Sequence, residues 1–369
     1  MCCLKAITTG GVEKINPLVK KNGIEVLRAG LTSLNSRIRE AAAWTLGNIA
    51  GENNELREIV LKGGVMSFLS QIIIGGPEFP LLKSCIWSMC MLCKDYPEQL
   101  LALVSPAFKA ISCLMKADTN ASILIDASWA LYYLMRENEA HIHVIIELGL
   151  VPDLVRLLRK QERIALPCLR VLGLITVGKE EEVEEIIKAN GLEALKELLG
   201  SSSSSLRKES CWVISNIALG PLHHIKEIIR LEIIPLICKL ILNDEHDVKV
   251  EAVWVITNFA SKMEKECVDY ILNLDVINVL DKMLSIKDRD ILDITLKGFN
   301  YLLQKGQNGV KNKVVEKMNE LNIAEKIEEL QTHPNEGIYK LVIEILEKYF
   351  ETEDGFDVIG VQEKVSIFS

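Results

Sequence analysis

The chain has 369 residues, 49% of them hydrophobic and 25% charged, with a formal net charge of −9 at pH 7. So apolar a chain folds instead of staying disordered, and it is too long for one ordinary compact core. The acidic balance disfavours a phosphate-backbone partner, which needs a basic footprint, and suits a basic peptide or protein partner.

Read in chain order, the five tryptophans fall on one ruler: Trp44, Trp87, Trp129, Trp212 and Trp254, with gaps of 43, 42, 83 and 42 residues. The long gap is two periods, and its midpoint is Arg170. Backwards the ruler lands on Cys2, and forwards on Leu296 and then in Ile338-Tyr339-Lys340-Leu341. A second marker runs in phase with it. Gly23-Ile24, Gly64-Val65, Gly149-Leu150, Gly191-Leu192, Leu231-Glu232-Ile233 and Asp275-Val276 each open an apolar helical stretch. Pro152 and Pro235 sit near such starts, where proline is tolerated. Each unit therefore reads as a short helix, a second helix opened by the glycine motif, a polar loop and a third helix carrying the ruler position. The serine run Ser201 to Ser205 is predicted to be one of those loops. A period of about 42 residues belongs to helical repeats of the armadillo/HEAT kind, in which each repeat packs on its neighbours. The expected fold is all-α: an armadillo-repeat right-handed superhelical solenoid of about eight to nine repeats. It is expected to fill residues 1–350, with an acidic, disordered tail over 351–369.

The ruler also organises polar residues. Four positions after it stand Asn48, Asn216, Asn258 and Asn300, and three before it stand Asp126, Glu209 and Glu251. Residues at these offsets share one face of a helix. Glu209-Trp212-Asn216 and Glu251-Trp254-Asn258 thus form compact strips of acid, indole and amide, which stacked repeats would line up. An amide can clamp an extended peptide backbone through its donor and acceptor. Parallel indoles form slots for the stem of a lysine or arginine, a cation over the ring gains roughly 0.5–2 kcal/mol, and the carboxylates take its charged head. Tryptophan at helical spacing is more often core. The asparagine beside it weighs against that, since a buried amide needs partners that an apolar core lacks.

Other chemistry is thin. Cys90 and Cys93 form a lone C-x-x-C with no second pair at zinc-site spacing, so they read as buried apolar residues. His223-His224 are expected in a loop without a nucleophile or metal partner, so neither an enzyme nor a cofactor or metal is expected. There is no apolar run of about 18 residues and no signal peptide or myristoylation signal, so an intracellular, reducing setting is expected, with no membrane or nucleic-acid partner.

Ala43-Trp44-Thr-Leu-Gly-Asn-Ile-Ala-Gly51, Ser128-Trp-Ala-Leu-Tyr-Tyr-Leu134, Lys208-Glu-Ser-Cys-Trp-Val-Ile-Ser-Asn216, Gly220-Pro-Leu-His-His-Ile225 and Glu251-Ala-Val-Trp-Val-Ile-Thr-Asn-Phe-Ala260 closely resemble the importin alpha family. Its members are armadillo adaptors that recognise nuclear localisation signals. The likeness runs from Cys2 to about Tyr349. It implies a larger signal-binding site at Trp44, Asn48, Glu52, Trp87, Asp126 and Trp129, with Tyr133 matching a family substitution. It implies a smaller site at Arg170, Glu180, Glu209, Trp212, Asn216, Glu251, Trp254 and Asn258. It further implies shuttling between cytoplasm and nucleus, and an export receptor with Ran on the last repeats.

Several positions depart from the family pattern. Cys2 and Ala6 stand where tryptophan and asparagine are expected, Met91 and Leu174 replace asparagines, and Arg136 replaces an acid. The smaller site is therefore expected to bind at least as well as the larger. No Lys/Arg-rich run precedes residue 40. The expected chain thus lacks the importin-beta-binding segment and the first repeat, so importin beta would be a partner only if such a segment exists. It would then escape the autoinhibition that a tethered competitor produces. The alternative is an armadillo scaffold, or a decoy that sequesters basic proteins.

Overall fold

The computed structural model describes residues 11–136, 138, 140–308 and 311–350. Cys2, Ala6 and the 351–369 tail lie outside them. Two compact units divide at Val213/Ile214, and each is built from the same three-helix repeat. In the first unit, one repeat runs through Asn54–Lys62, Val65–Ile74 and Phe79–Cys93. In the second, one runs through Val268–Asn273, Val276–Leu284 and Arg289–Gly306.

Among the described residues, every ruler position falls on a third helix. Trp44 lies in Ser36–Glu52, Trp87 in Phe79–Cys93, Trp129 in Ala121–Arg136 and Arg170 in Glu162–Thr176. Trp212 lies in Ser204–Ile217, Trp254 in His246–Lys262, Leu296 in Arg289–Gly306 and Lys340 in Glu336–Tyr349. These helices are buried on most of their circumference. In the Trp44 helix Ala41, Ala42, Ala43, Leu46, Ile49 and Ala50 are all buried, while Trp44 and Asn48 are half-exposed. First helices are instead amphipathic surface helices, such as Leu222–Arg230, which buries His224, Ile225 and Ile228.

Several third helices begin with an Asx cap, as helix entry favours. Asn35 accepts from the Arg37 N–H at 3.0 Å, and Asp288 from the Asp290 and Ile291 N–H groups at 2.9 Å. Cations of neighbouring repeats close helix C-termini. Arg28 donates to the Gly63 carbonyl at 3.0 Å, the buried Arg57 to that of Met91 at 2.9 Å, and Arg156 to that of Met115 at 2.8 Å.

A left-handed residue opens the second helices other than Pro106–Lys116, which is entered from Ser105 at φ −50°. These residues are Asn22, Gly64, Gly149, Asn190, Glu232, Asp275 and Asn322, with φ between 52° and 71°. Only Gly64 and Gly149 are the glycines of the sequence motif; Gly23 and Gly191 follow the left-handed residue. There a side chain would press on the preceding helix end, 2.5 Å from the Leu18 carbonyl oxygen or 2.7 Å from that of Ile186. Asparagine and aspartate tolerate this conformation, but Glu232 does not readily. Glu232→Gly is therefore expected to raise stability by about 0.5–1 kcal/mol, measured as a higher denaturation midpoint; an unchanged or lower midpoint would show that the glutamate side chain compensates.

Three local expectations are corrected. The helix Ser204–Ile217 takes the last two residues of the serine run, and Ser203 donates to Glu162 at 2.6 Å, so only part of the run is linker. His223 and His224 lie in the first turn of Leu222–Arg230, not in a loop. A two-residue antiparallel ladder pairs Gln307-Asn308 with Lys311-Asn312, a small β element within an otherwise helical fold. Among the described residues no single helix is long and apolar enough to cross a membrane. Cys85, Cys90, Cys93 and Cys168 are buried, and burial pushes their thiols up, those of Cys85 and Cys168 to about 12. Such thiols stay protonated and behave as apolar filling.

Candidate peptide-binding surface

All five tryptophans are half-exposed on helices whose other residues are mostly buried. A core role would hide the ring; here each ring stays partly exposed. Asn48 and Asn216, one turn on, are half-exposed as well. So are the carboxylates one turn back, Asp126, Glu209 and Glu251. On the Trp212 helix, acid, indole and amide are thus all partly exposed on one face, whereas in the Trp254 strip Asn258 is buried.

Their internal bonding differs from the expectation. In the first unit the Trp44 and Trp87 rings stack on each other, centroids 4.5 Å apart at 25°. Two rings flanking an alkyl stem stand about 7–8 Å apart, twice an optimal carbon contact, so this slot is closed. Lys83 pairs with Asp126 and also donates to the Ser122 carbonyl at 2.8 Å. Burial raises the Asp126 carboxyl above the usual carboxylate range, and Lys83 offsets this only in part. Asp126 thus already holds a cation of its own chain. Arg136, which stands where an acid was expected, pairs with Asp95. Arg170 donates through Nε to Glu209 at 2.9 Å, with its guanidinium 5.8 Å from the Trp129 ring centre and 5.6 Å from that of Tyr132. It is an internal example of the chemistry expected of a ligand: a cation over aromatic faces with a carboxylate at its head. Glu52 and Glu180 are exposed, at the end of the Trp44 helix and the start of Glu180–Lys188. Tyr133 lies 5.8 Å from Trp129, ring to ring, at a tilt of 32°.

In the second unit Trp254 and Glu251 are half-exposed, whereas Asn258 is buried and donates to the Ser215 carbonyl at 3.0 Å. Asn300 is buried too and donates to Glu344 at 3.3 Å. The asparagines are therefore not reserved for a ligand. Those at 258 and 300 also tie one repeat to the next, which is how a polar group is tolerated there.

Comparison with known proteins follows from this geometry. Residues 12–51, 179–219 and 223–261 match the armadillo/beta-catenin-like repeat, and residues 312–363 match an atypical Arm repeat. The chain is similar to importin subunit alpha-1b of Oryza sativa subsp. japonica, 31% identical over 359 residues that cover 95% of this chain and 67% of that protein. It belongs to the importin alpha family. Importin subunit alpha-2 of Arabidopsis thaliana is 34% identical over 361 residues, again covering 95% and 67%. An engineered protein of known structure shares the fold, with a TM-score of 0.73 at 22% identity over 93% of this chain and 92% of that one.

Measured against its family, this importin alpha member carries three features that pattern reading missed. Lys83 is visible only as one more lysine until Asp126 is seen beside it. Tyr132, given no role of its own in the sequence, lies beneath Arg170. Gly47 and Gly173, each three residues after a ruler position, look like helix-weakening glycines and in fact lie against tryptophans. Their regular offset is the one signal the sequence offered for them.

Proposed function

We propose that this importin alpha family member is a receptor for extended lysine-rich segments, the class that includes nuclear localisation signals, and acts as an adaptor in their transport between cytoplasm and nucleus. The observation that carries the reading is the half-exposed indole recurring on third helices, with a carboxylate one turn back at Trp129, Trp212 and Trp254. Family membership supports it, and so does the acidic net charge of −9. Arg170 supports the chemistry, since it already lies over aromatic rings with Glu209 at its head. The surface binds and does not transform its ligand.

The N-terminal half of the groove is the weaker half in this proposal. Its first slot is shut, its Asp126 is paired, and Met91 and Arg136 replace groups that would hold backbone and cation. Trp212 and Trp254 are each half-exposed with a carboxylate one turn back, Glu209 and Glu251, and each takes part of the main basic cluster, although Glu209 already holds Arg170 and Asn258 is tied to Ser215. Binding of export receptor and Ran by the last repeats is proposed from family likeness alone.

Titration of a fluorescent bipartite lysine-rich peptide by anisotropy tests the reading. A dissociation constant of about 1 μM or tighter, near −8 kcal/mol, is expected, together with steep weakening by salt and no binding of a glutamate-substituted control. A folded chain that ignores the lysine peptide would leave the scaffold alternative standing in its place.

A further inference from the structure

Among the described repeats the residue three positions after a ruler position is small wherever the next repeat carries a tryptophan; Lys5, which stands there ahead of Trp44, lies outside the described residues. Gly47 precedes Trp87, Cys90 precedes Trp129, Gly173 precedes Trp212 and Ser215 precedes Trp254. Where that residue is larger, the tryptophan is gone: Tyr132 precedes Arg170, and Thr257 precedes Leu296. The contacts supply the reason. Trp87 lies over Gly47, where a Cβ would come within 2.5 Å of ring atom Cζ3 and 2.8 Å of Cε3. Trp212 lies so close over Gly173 that a Cβ would overlap the six-membered part of its ring.

Both glycines sit inside long helices, Ser36–Glu52 and Glu162–Thr176, where glycine is disfavoured. Neither has a positive φ, so backbone conformation does not explain them. What does explain them is the neighbouring indole. At position 132 the phenol fills the corresponding place, and the next ruler residue is a guanidinium lying over it at 5.6 Å.

We propose that Gly47 and Gly173 are positioning residues: each is a bare patch of backbone on which the next repeat's indole lies, which sets the angle at which its exposed face meets a ligand cation. Tyr132 is by the same rule the residue that interrupts the row of indoles at position 170. The ligand half of this inference rests on the receptor reading; the ring placement does not.

The test is Gly173→Ala in the full chain, with acrylamide quenching of tryptophan emission, thermal midpoint and peptide affinity measured together. The expected result is stronger quenching, a lower midpoint and peptide binding weakened about tenfold, the worth of one displaced cation–π contact. In a Trp212→Leu background the same alanine should no longer lower the midpoint, which helix propensity should instead raise, and should not change affinity further. Equal effects in both backgrounds, or unchanged quenching and affinity in Gly173→Ala, would overturn the proposal. If the wild type ignores the peptide, the receptor reading falls while quenching and midpoint still decide the placement. If Gly173→Ala fails to fold but folds once Trp212 is leucine, the clash is established. Failure of both sends the same comparison to Gly47→Ala with and without Trp87→Leu, where again only rescue by leucine sustains the proposal.

Discussion

Trp212→Ala/Trp254→Ala is expected to weaken binding of a bipartite lysine-rich peptide about 30- to 1,000-fold, and Trp44→Ala/Trp87→Ala no more than about tenfold. Each accessible indole offers a cation roughly 0.5–2 kcal/mol, with further contact along the stem. Two such sites lost give about 2–4 kcal/mol, and each 1.4 kcal/mol is a factor of ten. The first pair differs because its rings already satisfy each other at 4.5 Å. A stem entering between them forfeits their stacking, worth about 0.5–1.5 kcal/mol, so little net affinity is lost when both are removed. Anisotropy titrations of the two double variants decide the matter. The opposite order of losses would restore the larger site as the dominant one.

Lys83→Met is expected to destabilise the fold by about 1–3 kcal/mol at pH 7, and by less as the pH falls. The pair it breaks joins a lysine side chain 35% exposed to an aspartate side chain 16% exposed. Breaking a fully buried pair costs about 3–5 kcal/mol, and the exposure of Lys83 argues for a smaller figure. The pH dependence follows from Asp126, whose carboxyl burial already raises above its ordinary value. A carboxyl raised in the folded state contributes stability that is fully present below its unfolded pKa and is lost as pH rises through the folded one. Removing Lys83 raises it further. The difference between variant and wild type should therefore shrink from neutral pH toward the acid range where Asp126 is protonated. Denaturant unfolding at pH 7 and near pH 4.5 measures it; a constant difference would mean that the methionine disturbs packing and not charge. The same variant frees Asp126 for a ligand cation, so peptide should stabilise it more than wild type.

Much of the fold was legible because a repeat writes itself several times. The tryptophan ruler places every third helix, and half-exposure of the five rings follows the stripe drawn through them. The left-handed junctions were legible at Gly64 and Gly149, where glycine advertises them, and obscured at Asn22 and Asn190, where the neighbouring glycine draws the eye to the wrong residue. The small ladder had a signal too, since the two residues between paired Asn308 and Lys311 are Gly309-Val310, and glycine first in a two-residue connection favours a hairpin; a helical ruler passes over it. What could not be read are pairings between repeats. Lys83 with Asp126, Trp44 with Trp87 and Asn258 with Ser215 lie 43 residues apart in each case, and a one-dimensional pattern does not say which side chains of adjacent rows will meet.

The glycines beneath Trp87 and Trp212 have a modular consequence. A repeat as the chain counts it begins with a first helix and ends with a third helix, but the bare patch on that third helix, at Gly47 or Gly173, serves the tryptophan of the following repeat. Recognition modules and folding modules are thus offset by one. Duplicating or transplanting a single repeat would carry an indole away from its support and bring a foreign support beneath the next. Exchange between such arrays preserves recognition only when the cut falls between an indole and the glycine three residues later, inside a helix, where recombination is least convenient for folding.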